Sequence, residues 1–472
     1  MNKNTRQSRN LFIHIILTTK SAVKGLQSRK LYAALFVLII TVGAFSLSAA
    51  ISSLTDYVII RSSGRTGPVA NVTANSGSAK DIQAAVDEVA TVGGGVVHIP
   101  QGEFDFVNVG EPWETVNIPA GVNLFGAPTE RTKGLPVSDQ GMNPNDQVVE
   151  WKTVLKMPWD VTSDIDNPPK WFSVTGDFSP DQPTRISDIK LVGYRSIDPS
   201  STTVHTAIDM SYVKNFRIDH CCFEHTTAGI SLWGCCGVID HCRIYNIYGY
   251  DDLSQYHNSD VGYGVQIHRD WTVNFEPTML VLGQYTSYTV FIEDCYFSKW
   301  RHCVASGHGA HYVFRYNTID QDLGHFSLDA HGLRDTQEGH GGTRCAEFYE
   351  NKLTNAVVGD LDLVLQNGGG CGVWFNNYVD SSYATGGMTL YPEDYIPSET
   401  WHLKDFYLWS GLGGWNPGWD GIPNGFTADR NVLADWSRTA YNAGDSNYPN
   451  VNPSWSIAGY QPYPYPHTLA TE

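Results

Sequence analysis

Six copies of one short apolar–polar pattern run along the middle of the chain. They begin at Ile218, Ile239, Ile292, Phe314, Phe348 and Trp374. Each has a large apolar residue first, Cys or Asn fourth and an apolar residue sixth. The fourth positions are Cys221, Cys242, Cys295, Asn317, Asn351 and Asn377, separated by 21, 53, 22, 34 and 26 residues. A spacing near 22 with occasional longer steps marks a solenoid whose insertions leave as loops. Apolar residues alternating over so few positions predict short strands, not helices. A coil of that length holds three short strands and three turns. The fourth position is then an inward bend between two strands. Asn there bonds backbone groups and stacks on the Asn of the next coil, while Cys is a small buried filler.

Other elements follow from the same patterning. Residues 78–90 read as an amphipathic helix with Ile82, Val86 and Val89 on one face, stopped by Gly93-Gly94-Gly95. Strand-and-turn segments follow at 96–104 and 116–127. Residues 128–184, rich in Asp, Pro and Asn, read as a long loop or β-excursion over one mouth of a groove. The coils restart at 186–192 and run to Val379. Insertions near 246–262 and 269–287 carry Tyr248, Tyr250, Asp251, Asp252, Tyr256, His257 and Trp271, a composition suited to the walls of a sugar cleft. Residues 61–76 are a Ser/Gly/Thr/Pro-rich linker. The apolar, uncharged run 31–54 is long enough to span a bilayer. Positive charge ahead of it predicts a cytoplasmic N-terminus and an exported remainder. Ser48-Ala49-Ala50 also fits a cleavage site, so a single-pass anchor and a cleaved signal are the two alternatives. The expected organisation is a basic cytoplasmic tail (1–30), a transmembrane helix or signal segment (31–54), a linker (55–77), a β-solenoid with an N-terminal cap (78–400) and an aromatic-rich tail packing on it (401–472).

Charge narrows the partners. The net charge is −18, and the first thirty residues carry seven Lys or Arg and no acid, so the remainder stands at −25. That argues against nucleic acid. It leaves neutral sugars, cations, or anionic sugars bridged by a metal such as Ca²⁺. Nine cysteines, with Cys221-Cys222 and Cys235-Cys236 adjacent, leave two readings: buried thiols, or a disulfide between neighbouring coils.

The Cys/Asn column resembles the right-handed parallel β-helix of the pectate lyase superfamily. The helix at 78–90, followed by Gly93 to Phe104 and Val116 to Ala127, resembles the opening of extracellular β-helix polysaccharide enzymes, in which the helix caps the solenoid. The fold class these features imply is all-β, a parallel β-helix. Candidate chemistry lies in a polar cluster from Arg301 to Arg344. Val304 and Phe326 both lie nine residues after the ladder position of their coil, which places His308 beside Ala330 and His331 and within reach of Asp329. His308, Asp329 and His331, with Arg315 or Arg344 nearby, are the candidate catalytic residues: a base oriented by a carboxylate and a cation to stabilise negative charge. His325, Asp329, His331 and His340 are a weaker set for a transition metal.

Two activities compete with a structural role. Ser306-Gly307-His308-Gly309 resembles the Gly-His-Gly segment of polygalacturonases, but the paired acids are missing from Gln284 to Tyr288. Phe216 to Cys221 resembles a pectate lyase strand, but the Arg-x-Pro-x-x-Arg motif is absent. The segments around Arg301 to Ile319 and Tyr460 to His467 resemble exported β-helix proteins. These features predict an extracytoplasmic protein that acts on or binds polysaccharide, with a non-catalytic surface adhesin as the alternative. Six of the fourteen tryptophans, from Trp401 to Trp455, fall in the last seventy or so residues. They suit either a tail laid over the solenoid or a stacking platform for sugars.

Overall fold

The structure is a computed structural model. It describes residues 70–131, 148–159, 169–179, 181–194, 205–245, 262–269, 289–300, 302–307, 310–320, 326–330, 343, 345–355, 363–367, 371–375, 377–379, 387–390 and 463–471. The strands form three sheets wound as one solenoid, each coil visiting the three in turn. The first sheet has ten strands, from Ala70–Thr73 to Cys371–Phe375. The second has nine, from Gly102–Asp105 to Tyr378–Val379, and the third nine, from Val116–Pro119 to Gly387–Leu390. All neighbouring strands in these sheets are parallel. This is a parallel β-helix.

Helix α1 (Ala79–Thr91), as the 3.6-residue pattern predicts, follows the first strand, Ala70–Thr73, which pairs with Gly95–His98 and so corrects the reading of 70–73 as linker. The Ser78 hydroxyl caps the helix by accepting from the Asp81 amide. Its apolar face, Ala79, Ile82, Ala85, Val86 and Val89, is buried against Ala70–Thr73, Gly95–His98 and Val116–Pro119.

The coil count departs from the sequence expectation. The coils do not pause over 128–184. Thr153–Lys156 and Lys170–Thr175 are rungs of the second and third sheets. The described excursion is a single antiparallel pair, Glu130–Arg131 with Val148–Glu150. A further rung, Gly387–Leu390, follows Val379.

The bend between the first and second sheets is built in two steps. Asp188, His220, His241, Asp294, Tyr316 and Glu350 occupy one left-handed column, with φ between 51° and 62°. Such conformations cost roughly 1 kcal/mol or more for non-glycine residues, so the following position must repay them. It does so through an unbroken ladder. The Asn317, Asn351 and Asn377 side-chain oxygens accept the amides of Cys295, Asn317 and Asn351 at 2.9, 2.9 and 3.0 Å. Their Nδ2 groups donate to the carbonyls of Ile292, Phe314 and Phe348, each at 2.9 Å.

The cysteines do more than fill space. Cys295 Sγ accepts the Cys242 amide at 3.4 Å, and Cys221, Cys242 and Cys295 direct their thiols at the carbonyls of Ile186, Ile218 and Ile239. They reproduce the Asn pattern with a weaker, longer-reaching atom. The seven cysteines whose side chains are described, Cys221, Cys222, Cys235, Cys236, Cys242, Cys295 and Cys303, are buried and free, which removes the inter-coil disulfide reading for them. Burial pushes the Cys222 and Cys235 thiols up to about 12.

The proposed 31–54 span, the tail before it, and the tryptophans from Trp401 to Trp455 lie outside the described residues. Among the described residues no helix is long and apolar enough to cross a membrane.

Candidate functional site

Two outer faces carry polar side chains in register. On the first sheet, Ser187, Asp219, Asp240, Glu293, Arg315 and Tyr349 form one row. Arg185 forks onto Asp219 at 2.7 and 2.8 Å, and Arg217 onto Asp240 at 3.0 and 2.9 Å. Arg315 donates from Nε and Nη2 to Glu293 Oε2 at 2.8 and 2.6 Å. Burial opposes charge on Asp219, but Arg217 and Arg185 hold its carboxyl well below the usual range. Glu293 goes the other way, because burial pushes it up despite Arg315.

This face is closed by the chain's own end. Residues 463–471 lie across it. Arg315 donates to the Tyr463 and Pro464 carbonyls at 2.6 and 3.0 Å, and Arg217 to that of Ala470 at 3.0 Å. Glu293 Oε1 accepts the His467 amide at 2.7 Å, and the Tyr465 hydroxyl donates to Asp294. Arg315 is wholly buried. It ties the C-terminal segment to the first sheet, whereas Asp329 lies on the third sheet in strand Phe326–Ala330. The two therefore do not converge as the sequence register suggested.

The third sheet offers the more accessible chemistry. Its inner positions are apolar, as with Ile208, Ile230, Val265, Val304 and Leu328, all fully buried. The next residue of each strand faces outward, making the row Asp209, Ser231, Gln266, Ala305 and Asp329. A parallel row holds Thr175, Ser211, Trp233, His268 and Gly307. Trp233 stacks on His268, with centroids 4.4 Å apart and planes 20° apart, and is 36% exposed. Lys170 reaches Asp209 at 2.5 Å. Farther along, Tyr263 stacks on His302 at 5.5 Å, and His302 Nε2 lies 3.7 Å from the Asp329 carboxylate.

The sequence register was wrong here by two residues. Val304 pairs with Leu328, not Phe326, because the link between Asp320 and Phe326 is longer than its counterpart one coil earlier. The slip moves Asp329 opposite Ala305 and beside His302. His308, His331 and Arg344, like His325 and His340, lie outside the described residues. His308 directly follows Gly307, which ends strand His302–Gly307. Among the described residues no three His, Cys, Asp or Glu side chains are grouped to hold a metal ion. Trp233, Tyr263, Gln266 and the Lys170–Asp209 pair were missed from sequence. A signal was available for three of them: Asp209, Trp233 and Gln266 each follow a buried aliphatic of their third-sheet strand.

No family model and no curated protein matches the chain. Among solved structures, an alginate lyase from Paenibacillus sp. str. FPU-7 is 11% identical over 67% of this chain and 97% of its own, with a TM-score of 0.33. A tailspike protein of E. coli bacteriophage HK620 is 14% identical over 66% of this chain, at a TM-score of 0.36, and the chain covers 48% of its length. PfbA, a surface adhesin of Streptococcus pneumoniae, is 11% identical over 65% of this chain and 79% of its own, at 0.33. By its own strand pairing the chain is a three-sheet parallel β-helix, the fold that the resemblance to the pectate lyase superfamily implied.

Proposed function

We propose that the chain is an exported glycan-recognising β-helix whose outer third sheet receives a polysaccharide running along the solenoid. The observation that carries this reading is the exposed Trp233 ring stacked on His268, beside Ser231, Gln266 and Asp209. An aromatic ring supplies a flat apolar face for a pyranose, and neighbouring amide, hydroxyl and carboxylate groups take its hydroxyls. Both long insertions adjoin strand Tyr263–His268 along the chain.

One observation favours an enzyme as the second reading. The His302–Asp329 pair sets a buried imidazole, through its Nε2, 3.7 Å from a carboxylate, the pairing of groups from which a general base is built. His308 and His331 follow the same two strands and are the further candidates for a base, with Arg344 for charge stabilisation. Membrane attachment through 31–54 and export of all that follows belong to this proposal on sequence grounds.

The test is a screen of the purified chain against polyuronides and neutral glycans. It would read ultraviolet absorbance for elimination, reducing ends for hydrolysis, and binding by calorimetry. Trp233→Ala is expected to weaken binding about tenfold or more, as loss of one stacking platform does, with the melting temperature unchanged. Wild-type affinity in Trp233→Ala moves the site off the third sheet. Product formation abolished by His302→Gln supports the enzyme reading, and binding without product supports the adhesin-like one.

A further inference from the structure

The second sheet carries a feature that neither the third-sheet face nor the C-terminal clamp uses. Its outer row begins with Glu103, which is paired with Lys156, and Val154, then reads Lys190, Cys222, Arg243, Tyr296, Thr318, Lys352 and Tyr378, with no acid from Lys190 onward. In a chain of net charge −18 that is a conspicuous gap. The acids nearby stand in the next row and are already engaged. Glu224 takes Lys190, the Tyr245 hydroxyl and His225. Asp320 accepts from the Tyr296 hydroxyl at 2.8 Å, Thr354 at 3.2 Å and Asn355 at 2.7 Å.

Arg243 is left over. Its guanidinium lies between two rings, 6.0 Å from the Trp151 centroid and 5.9 Å from that of Tyr296. Its buried Nε has no hydrogen-bond partner. The rings are themselves pinned, because Trp151 Nε1 donates to the His220 carbonyl at 2.7 Å and Tyr296 to Asp320. The sandwich holds the plane of the guanidinium, and its two Nη groups, which make no hydrogen bond or ion pair with a described residue, are the donors left for an acceptor. A fork of that kind matches a carboxylate in two-point geometry. Lys352 stands in the same row three coils on, about 14 Å away at the usual strand spacing, and makes no ion pair with any described residue.

We propose that this row is a second glycan site, taking a linear uronic-acid polymer that runs parallel to the solenoid axis. Arg243 grips one carboxylate, Tyr296 and Tyr378 lie against the sugar faces, and Lys352 meets a carboxylate farther along.

The test is calorimetry of the full-length chain with a galacturonate oligomer at two ionic strengths. Wild type is expected to bind, and Arg243→Gln to bind about tenfold or more weakly, as loss of a charge-assisted contact does. Arg243→Lys is expected not to restore affinity, because a point charge does not replace the fork. Lys352→Gln is expected to weaken binding and flatten its salt dependence. Trp233→Ala, which tests the third-sheet face, is expected to leave this binding intact, so the two proposals fail separately. Unaltered binding in Arg243→Gln and Lys352→Gln overturns the site. So does equal competition by a neutral galactan, or by monomeric galacturonate at the same molarity. If Arg243→Gln does not fold, Lys352→Gln decides the question alone.

Discussion

Replacing Asn351 by Leu probes the ladder that holds the coils in register. The Asn351 side chain is almost wholly buried and makes four hydrogen bonds. Its Oδ1 accepts the Asn317 backbone amide at 2.9 Å and Asn317 Nδ2 at 3.3 Å, and its Nδ2 donates to the Phe314 carbonyl and to Asn377 Oδ1, both at 2.9 Å. Leucine removes all four contacts. The Asn317 N–H is left buried without an acceptor, at a cost of roughly 1–3 kcal/mol, and the Phe314 carbonyl loses a donor at the low end of that range. Extra apolar burial by leucine returns about 1 kcal/mol. The expected loss is therefore about 1–3 kcal/mol, read as a lower urea midpoint at unchanged slope. Asn351→Cys is the control. Cys295 already fills the same column, taking an amide and offering its thiol to a carbonyl, so Cys at 351 is expected to cost less than Leu. An unchanged midpoint for Leu, or equal losses for Leu and Cys, would refute the view that side-chain hydrogen bonds stabilise this bend.

Two further predictions concern the C-terminal clamp. Arg315→Leu leaves Glu293 buried without its partner and is expected to cost about 3–5 kcal/mol; Arg315→Leu with Glu293→Gln is expected to recover much of that in the same denaturation assay. Acidification is expected to loosen residues 463–471. Burial, and then the neighbouring Arg315, hold the His467 imidazole down to about 4, so the folded state resists its protonation. The sign follows: this contribution is complete above the ordinary value of 6.5 and is lost as pH falls towards 4. Protease susceptibility of the segment is expected to rise across that window. A His467→Gln variant with the same pH profile as wild type assigns the transition to another group.

Much of the fold was legible in the chain because a solenoid repeats its own local physics. Each bend needs a small side chain that can serve two backbone groups, so Cys or Asn recurs at that position and reveals the coil length. The amphipathic face of 78–90 announced a helix for the same reason. What failed was whatever depends on links between rungs. The short strands Thr153–Lys156 and Lys170–Thr175 sit among Pro and Asp and show no ladder residue, so only their pairing identifies them. Two extra residues before Phe326 shift Asp329 from the expected partner to His302, because loop length, invisible to periodicity, sets the register. Arg315 and Asp329 look like neighbours in one polar cluster, yet successive strands of a coil belong to different sheets and face different sides. Only the tertiary structure decided that Arg315 holds residues 463–471 while Arg243, a residue with no motif around it, lies between the Trp151 and Tyr296 rings.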